Sequence, residues 1–355
     1  MHEHVSKLLA TVLLILAAVT PVTAEREYVW EGGEWTSPAK TGEDSPAGQI
    51  ALIRVHLDEG DYRDAVKVAE RFLEKYPDNE ACEEAMMLAG QAEMDRGRYM
   101  NAYDWFDRQI ARSPSGPLAG RALHRQYEIA DAFLEGKKRR VLGFIPVSAR
   151  SEGLSILDRI VSQAPGSELA EKALLRMGDY HEAREEYDEA IDAYDRYVEM
   201  FPRGESAAYA MLQAARSRYA MYRGPSFDDT PLLEARLRFR HFAERFGQAA
   251  EENNVSDILR RIDEQRAEKD FHAARFYERT GRDDAADFYY RRIVRNYGRT
   301  EYANRAGRAL GETPETAPED SSDDYSHPRR DVPRIRGLES LADEDEQDQH
   351  DRDEQ

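Results

Sequence analysis

Cys82, five of the nine histidines, dispersed through the body of the chain, and several adjacent carboxylate pairs are the side chains of this sequence with the types to do chemistry: a nucleophile, metal ligands and acid–base pairs. A catalytic thiol needs a base beside it and a third group to orient that base. Neither can be assigned around Cys82, which follows Ala81 and precedes Ala85 on a charged stretch and is expected as a packed thiol. His56, His124, His181, His241 and His272 fall in different segments, and no two stand at ligand spacing on one helix. Glu185–Glu186, Asp228–Asp229 and Glu251–Glu252 have the residue types for glycan hydrolysis, which would need one protonated carboxyl beside an ionised one. With 70 acidic residues in 355, such neighbours arise by chance on solvated helix faces. The sequence also lacks a glycine-rich phosphate loop, a His-Glu-x-x-His pair and a Gly-x-Ser-x-Gly turn. The expectation is a chain with no catalytic residues, cofactor, metal or small-molecule substrate. The net charge of -20 argues against nucleic acid as a partner.

What would position any binding residue is a repeat. Pro77 and Pro114 lie 37 residues apart, and so do Pro165 and Pro202. Tyr62, Tyr99 and Tyr187 each stand 15 residues before Pro77, Pro114 and Pro202, and each is followed three residues later by Ala65, Ala102 or Ala190; Ala286 holds the same place in the last unit. Apolar residues recur at three and four positions after each tyrosine, which places them on one face of a helix. Alanine lets paired helices approach closely, and proline after the last turn ends the second helix. One such pair cannot bury its own apolar face, so the pairs must stack. The pattern predicts an all-α, tetratricopeptide-like right-handed solenoid of about six helix-turn-helix pairs over residues 49–310.

The flanks differ in character. Lys7, the apolar run Leu8–Val19, Pro21 and the small residues Val22-Thr23-Ala24 have the layout of a signal peptide over 1–24, which implies export. Residues 25–47, with Trp30, Trp35 and several Gly and Pro, form a linker with no helix or strand period. Residues 48–114 hold the first repeats and 115–310 the remainder. The step from Pro114 to Pro165 is 14 residues longer than the repeat, and the excess corresponds to residues 136–149, expected as a loop. Its charges Lys137, Lys138, Arg139 and Arg140 beside the apolar tip Val141–Val147 suit an acidic partner or lipid phosphates, that is, a peripheral membrane contact; simple solvation is the plainer alternative. Residues 311–355 contain 16 acidic and 5 basic residues and are expected as a disordered acidic tail.

From about residue 150 onward the chain resembles the outer-membrane β-barrel assembly lipoproteins of the BamD/YfiO type. The resemblance rests on Ile156-Leu157-Asp158-Arg159-Ile160 leading to Ala164-Pro165-Gly166-Ser167, on Tyr187–Tyr197 leading to Phe201-Pro202, and on His272–Gly281 followed by Ala285-Ala286 and Tyr297-Gly298. It implies a non-enzymatic periplasmic adaptor whose last repeats dock the periplasmic domains of a barrel-inserting protein. By similarity the docking surface falls on the helix from Asp283 to Asn296. A docking arginine of the family aligns near Tyr289, with Arg291 and Arg292 shortly after it, and Arg275 and Arg279 are further candidates; Tyr103, Tyr194, Arg196 and Tyr219 are candidates for a partner-facing surface higher in the stack. The chain departs from the family in lacking a lipid-accepting cysteine near residue 24, in its added repeats at 49–114 and in its acidic tail. An adaptor of the Tol-Pal, cell-division or peptidoglycan machinery has the same build.

Overall fold

The second helices that begin at Tyr62, Tyr99, Tyr187 and Asp283 each start two residues after a residue in the left-handed conformation, which ends the helix before it. Gly60, Gly97 and Gly281 adopt it with φ of 78°, 69° and 71°, where a residue without Cβ carries no steric penalty. The turn is then closed by main-chain bonds of the paired type seen at Gly97 N–H to Met94 O (2.7 Å) and Arg98 N–H to Glu93 O (2.8 Å). In the unit that begins at Tyr187 the same position is Glu185, at φ 61°. Its turn keeps both bonds, Glu185 N–H to Glu182 O and Glu186 N–H to His181 O, so the repeat geometry outweighs the preference of the side chain.

The computed structural model describes residues 29–31, 34–36, 45–141 and 145–311. Fourteen helices occur among them: α1 (Pro46–Asp58), α2 (Tyr62–Lys75), α3 (Cys82–Asp95), α4 (Tyr99–Arg112), α5 (Ala119–Leu134), α6 (Arg150–Gln163), α7 (Glu168–Glu182), α8 (Tyr187–Met200), α9 (Ala207–Ala220), α10 (Thr230–Arg245), the short α11 (Gly247–Glu252), α12 (Val255–Arg279), α13 (Asp283–Asn296) and α14 (Glu301–Ala309). Six successive pairs, α1/α2 through α9/α10 and α12/α13, with α14 after the last, make the all-α repeat fold of the solenoid class. The chain divides into two compact units within α6, one ending at Ile156 and one starting at Leu157. None of the described helices is long and apolar enough to cross a membrane. The expected signal segment 1–24 and the acidic tail beyond Gly311 lie outside the described residues.

Two segments differ from expectation. Residues 29–36 of the linker pair as antiparallel strands, β1 (Val29–Glu31) and β2 (Glu34–Thr36), with Trp30 opposite Trp35. The expected loop 136–149 contains a second hairpin, β3 (Lys138–Val141) and β4 (Ile145–Ser148), in the register Arg139↔Val147 and Val141↔Ile145. The β-branched residues Val141, Ile145 and Val147 favour extended backbone, a signal masked in the sequence by four adjacent basic residues.

The signature alanines Ala65, Ala102 and Ala190 are fully buried and Ala286 nearly so. Four residues after Ala102 and Ala190 come Phe106 and Tyr194, also fully buried. Each ring lies over a glycine 16 residues earlier on the first helix of its pair. A Cβ at Gly90 would come closer than 3.0 Å to the Phe106 ring, and one at Gly178 equally close to the Tyr194 ring. Tyr62, Tyr99 and Tyr187 are half-buried, and Tyr99 meets Phe133 edge-on at 5.9 Å. Pro77, Pro114 and Pro202 are exposed and act through backbone geometry rather than packing. At the end of the second helix, ring pairs Phe72–Tyr76, Tyr197–Phe201 and Phe242–Phe246 repeat at 5.3, 5.5 and 5.8 Å. Cys82 is buried with its thiol directed at the Tyr76 carbonyl, 3.1 Å away, as a packed residue would be.

Gly178→Ala should cost about 1–3 kcal/mol, because a hydroxyl bonded to Asp179 keeps the Tyr194 ring from retreating. Glu185→Gly should add about 1 kcal/mol by relieving the left-handed residue. Urea unfolding midpoints, read at unchanged m-value, check both signs.

Candidate protein-interaction site

Helix α13 buries Ala286, Tyr290 and Ile293 and leaves a polar and aromatic face outward. Asp284, Asp287, Phe288, Arg291, Arg292, Arg295 and Asn296 line a shallow groove along it. Phe288 is 61% exposed, and Phe276 on α12 is 53% exposed. Between them the two tyrosines stack: Tyr277 and Tyr289 have ring centres 5.6 Å apart and planes 18° apart. Phe276 meets Tyr277 edge-on at 5.5 Å and Phe288 meets Tyr289 edge-on at 5.6 Å. The result is a four-ring ladder across both helices whose inner members are held and whose outer members face solvent. Exposed aromatics beside arginines are the side chains from which protein interfaces draw most of their affinity.

The basic residues expected here separate into two kinds. Arg292 is tied down: its Nε donates to Asp270 Oδ2 at 2.7 Å, a second guanidinium nitrogen donates to the other carboxylate oxygen, and its cation lies 4.6 Å from the Tyr289 ring centre. Asp270 is buried at 6% exposure, so this bidentate pair fixes α13 on α12, and the hydrogen bond to Asp270 raises the Arg292 pKa. Arg292, whose side chain keeps 39% exposure, and the half-buried Tyr289 both help to hold the surface in place. Arg291 and Arg279 are exposed. Arg291 makes a surface pair with Asp287 at 3.4 Å and Arg275 one with Glu278 at 2.5 Å, of the kind that exchanges easily with a partner's charges. Phe276 and Phe288 were not among the residues singled out from sequence. Their signal was an aromatic off the buried three-and-four spacing, which only a known facing makes readable.

The β3–β4 hairpin carries the other basic group. Lys137 and Lys138 are exposed, while Arg139 is half-buried and paired with Glu152 at 2.6 Å; the side chain of Arg140 lies outside the described residues. Ile145 and Val147 are 43% and 37% exposed beside these charges.

Among the remaining candidates, Tyr194 is fully buried rather than partner-facing. Its hydroxyl donates to Asp179 Oδ1 at 2.7 Å and is 3.3 Å from Glu182, and Tyr209 donates to the same Asp179 oxygen at 2.7 Å. Burial raises the pKa of Tyr194, Tyr209 and Glu182 alike. Arg196 is used within the fold, bonded to Asp158 at 2.9 Å. Tyr103 and Tyr219 are half-buried, and Tyr219 packs edge-on to Phe239 at 6.5 Å. His56, Glu59 and Asp61, at the α1–α2 turn, place one donor each within 4.8 Å of one another; both acids are exposed, and crowded carboxylates at a turn do not by themselves make a metal site.

Residues 148–318 match a family model described as YfiO, outer membrane lipoprotein, and residues 50–117 match one described as tetratricopeptide repeat. No curated protein matches the chain. Solved structures similar to it include a tetratricopeptide repeat protein from Parabacteroides merdae, 14% identical over 75% of this chain and 87% of that one, with a TM-score of 0.32. Another is the C-terminal part of a repeat-containing protein from Cytophaga hutchinsonii, 15% identical over 76% and 89%, with a TM-score of 0.35. A third is MamA from Desulfovibrio magneticus, 15% identical over 57% and 94%, with a TM-score of 0.30. At these scores the superpositions say nothing of function.

Arg292→Ala should lower stability by about 2–3 kcal/mol, the buried-pair figure discounted for the partly exposed guanidinium. Arg291→Ala should change it by less than about 0.5 kcal/mol. Chemical denaturation of the two variants side by side checks the contrast.

Proposed function

We propose that the chain, whose residues 148–318 match the YfiO outer membrane lipoprotein model and whose residues 50–117 match the tetratricopeptide-repeat model, is a non-enzymatic protein-interaction scaffold of the outer membrane and periplasm that docks the periplasmic domains of an outer-membrane barrel-assembly protein through the aromatic face of α12 and α13. The observation that carries this reading is the four-ring ladder with Phe276 and Phe288 exposed at its ends, on the helix to which the family resemblance assigns docking. A partner helix or strand would cover the two phenylalanines and exchange charges with Arg291 and Arg295, while Arg292 keeps α13 in place. We place the chain on the periplasmic side after export, held at the membrane by its partners, with Lys137, Lys138 and the basic hairpin adding a contact to anionic headgroups.

A second reading draws on the added repeats α1–α4, which match the general repeat model and not the YfiO model. They supply surface beyond that of the assembly family and suit an adaptor of the Tol-Pal, division or peptidoglycan machinery.

Affinity capture of the full chain from detergent-solubilised envelopes separates the two. We expect a barrel protein with periplasmic repeat domains, its recovery reduced about tenfold or more by Phe276→Ala with Phe288→Ala and unchanged by Lys137→Glu with Lys138→Glu. Recovery of Tol-Pal, division or wall-synthesis proteins in its place, insensitive to the phenylalanines, would overturn the docking assignment. The hairpin contact predicts that co-sedimentation with phosphatidylglycerol vesicles is lost in Lys137→Glu with Lys138→Glu and at high salt.

A further inference from the structure

Two buried polar residues of the second unit, Arg216 and Ser217, line a recess between α7 and α9, away from the α12–α13 face. Asp179 and Glu182 of α7, Ala183 just after it, Tyr187 at the start of α8, and Arg216, Ser217 and Ala220 of α9 line it. Arg216 is 6% exposed and Ser217 1%. The Arg216 Nη2 donates to Asn253 Oδ1 at 3.2 Å, but its Nε and the Ser217 Oγ are buried without a hydrogen-bond partner, as is Gln213 Oε1 on the same helix. A buried donor without an acceptor is costly, and these two belong to residues lining one recess.

We propose that this recess is a binding site for a primary carboxamide, the side chain of an asparagine or glutamine on an extended polypeptide. The donors Arg216 Nε–H and Ser217 O–H require an acceptor. The opposite wall has acceptor capacity to spare: Glu182, which lies within electrostatic reach of Arg216, accepts one long hydrogen bond, 3.3 Å from Tyr194, and Asp179 has Oδ1 taken by the hydroxyls of Tyr194 and Tyr209. A carboxylate satisfies the donors but meets two carboxylates. An ammonium satisfies the carboxylates but has nothing to accept from Arg216 or Ser217 and faces the guanidinium. A carboxamide carries its carbonyl to the donors and its two N–H groups to the acids without net charge. The small side chains of Ala183 and Ala220 leave the entrance open, and the two phenol bonds hold Asp179 in one orientation before a ligand arrives, so the ligand does not have to order it.

The test uses the full chain with 15N-labelled arginine, the Arg216 Nε–H resonance being assigned by its loss in Arg216→Lys. The probes are the blocked pentapeptide acetyl-Ser-Thr-Gln-Thr-Ser-amide and its two analogues with glutamate or lysine at the centre. The glutamine peptide should shift the Arg216 Nε–H with an affinity about tenfold above that of either analogue. Ser217→Ala should weaken that response about threefold or more while leaving the unfolding midpoint near that of the unaltered chain. Arg291→Glu, on the docking face, should leave it unchanged. A stronger response to the glutamate peptide would make the recess an anion site, and one to the lysine peptide a cation site. An equal response to all three, or none up to the solubility limit, would leave a recess that only water fills. Each of these outcomes overturns the proposal without touching the assignment of α12 and α13.

Discussion

A large ring on the second helix of a pair can sit directly on the first helix only where that helix has no side chain. This steric condition sets the helix-to-helix distance in the pairs built on Gly90 with Phe106 and on Gly178 with Tyr194. It is met together with the buried alanine four residues before each ring, so both contact points of the pair are fixed by small residues. Close-packed interiors do not absorb an added methyl group without moving something, and here what would move carries other functions. The Tyr194 hydroxyl anchors Asp179, which in turn receives Tyr209 from the next repeat. The packing of one pair thus organises a polar network that reaches into the following one.

Charge does comparable work between repeats. In the second unit, Arg196–Asp158, Arg266–Asp229 and Arg238–Asp195 join residues 38, 37 and 43 positions apart, about one repeat or a little more. An acidic chain spends its arginines on these ties. The consequence for recognition is selective: a basic residue on a repeat surface is usually already committed, as Arg292 is to Asp270, and those with only a local surface partner, such as Arg291, stand out against that background. The aromatic ladder of α12 and α13 follows the same logic, with inner rings and Arg292 fixing the geometry and outer rings exposed.

The regions that can carry function differ in chemistry. The α12–α13 face presents apolar rings, the β3–β4 hairpin presents lysines beside exposed Ile145 and Val147, and the α7–α9 recess presents buried donors opposite carboxylates. These are three different chemistries on one repeated scaffold, which is what a multi-contact adaptor requires and what a single catalytic centre does not.

The repeat spacing of tyrosine, alanine and proline made the helix pairs legible from sequence, because a helix that must bury one face against a fixed neighbour repeats its small and large residues at fixed intervals. The hairpin at 138–148 was not legible, because a run of four charges hides alternation. Nor was the facing of single side chains. Tyr194 looks from sequence like a surface candidate and is buried, Arg292 is tied to the buried Asp270, and Phe276 and Phe288, not singled out from sequence, are exposed. Local backbone chemistry and periodicity are properties of the chain, so the sequence alone determined the repeat and its turns. Which side of a helix meets a neighbour, and which charge finds a buried partner some twenty or forty residues away, depends on how the pairs stack, and only the tertiary structure decided that.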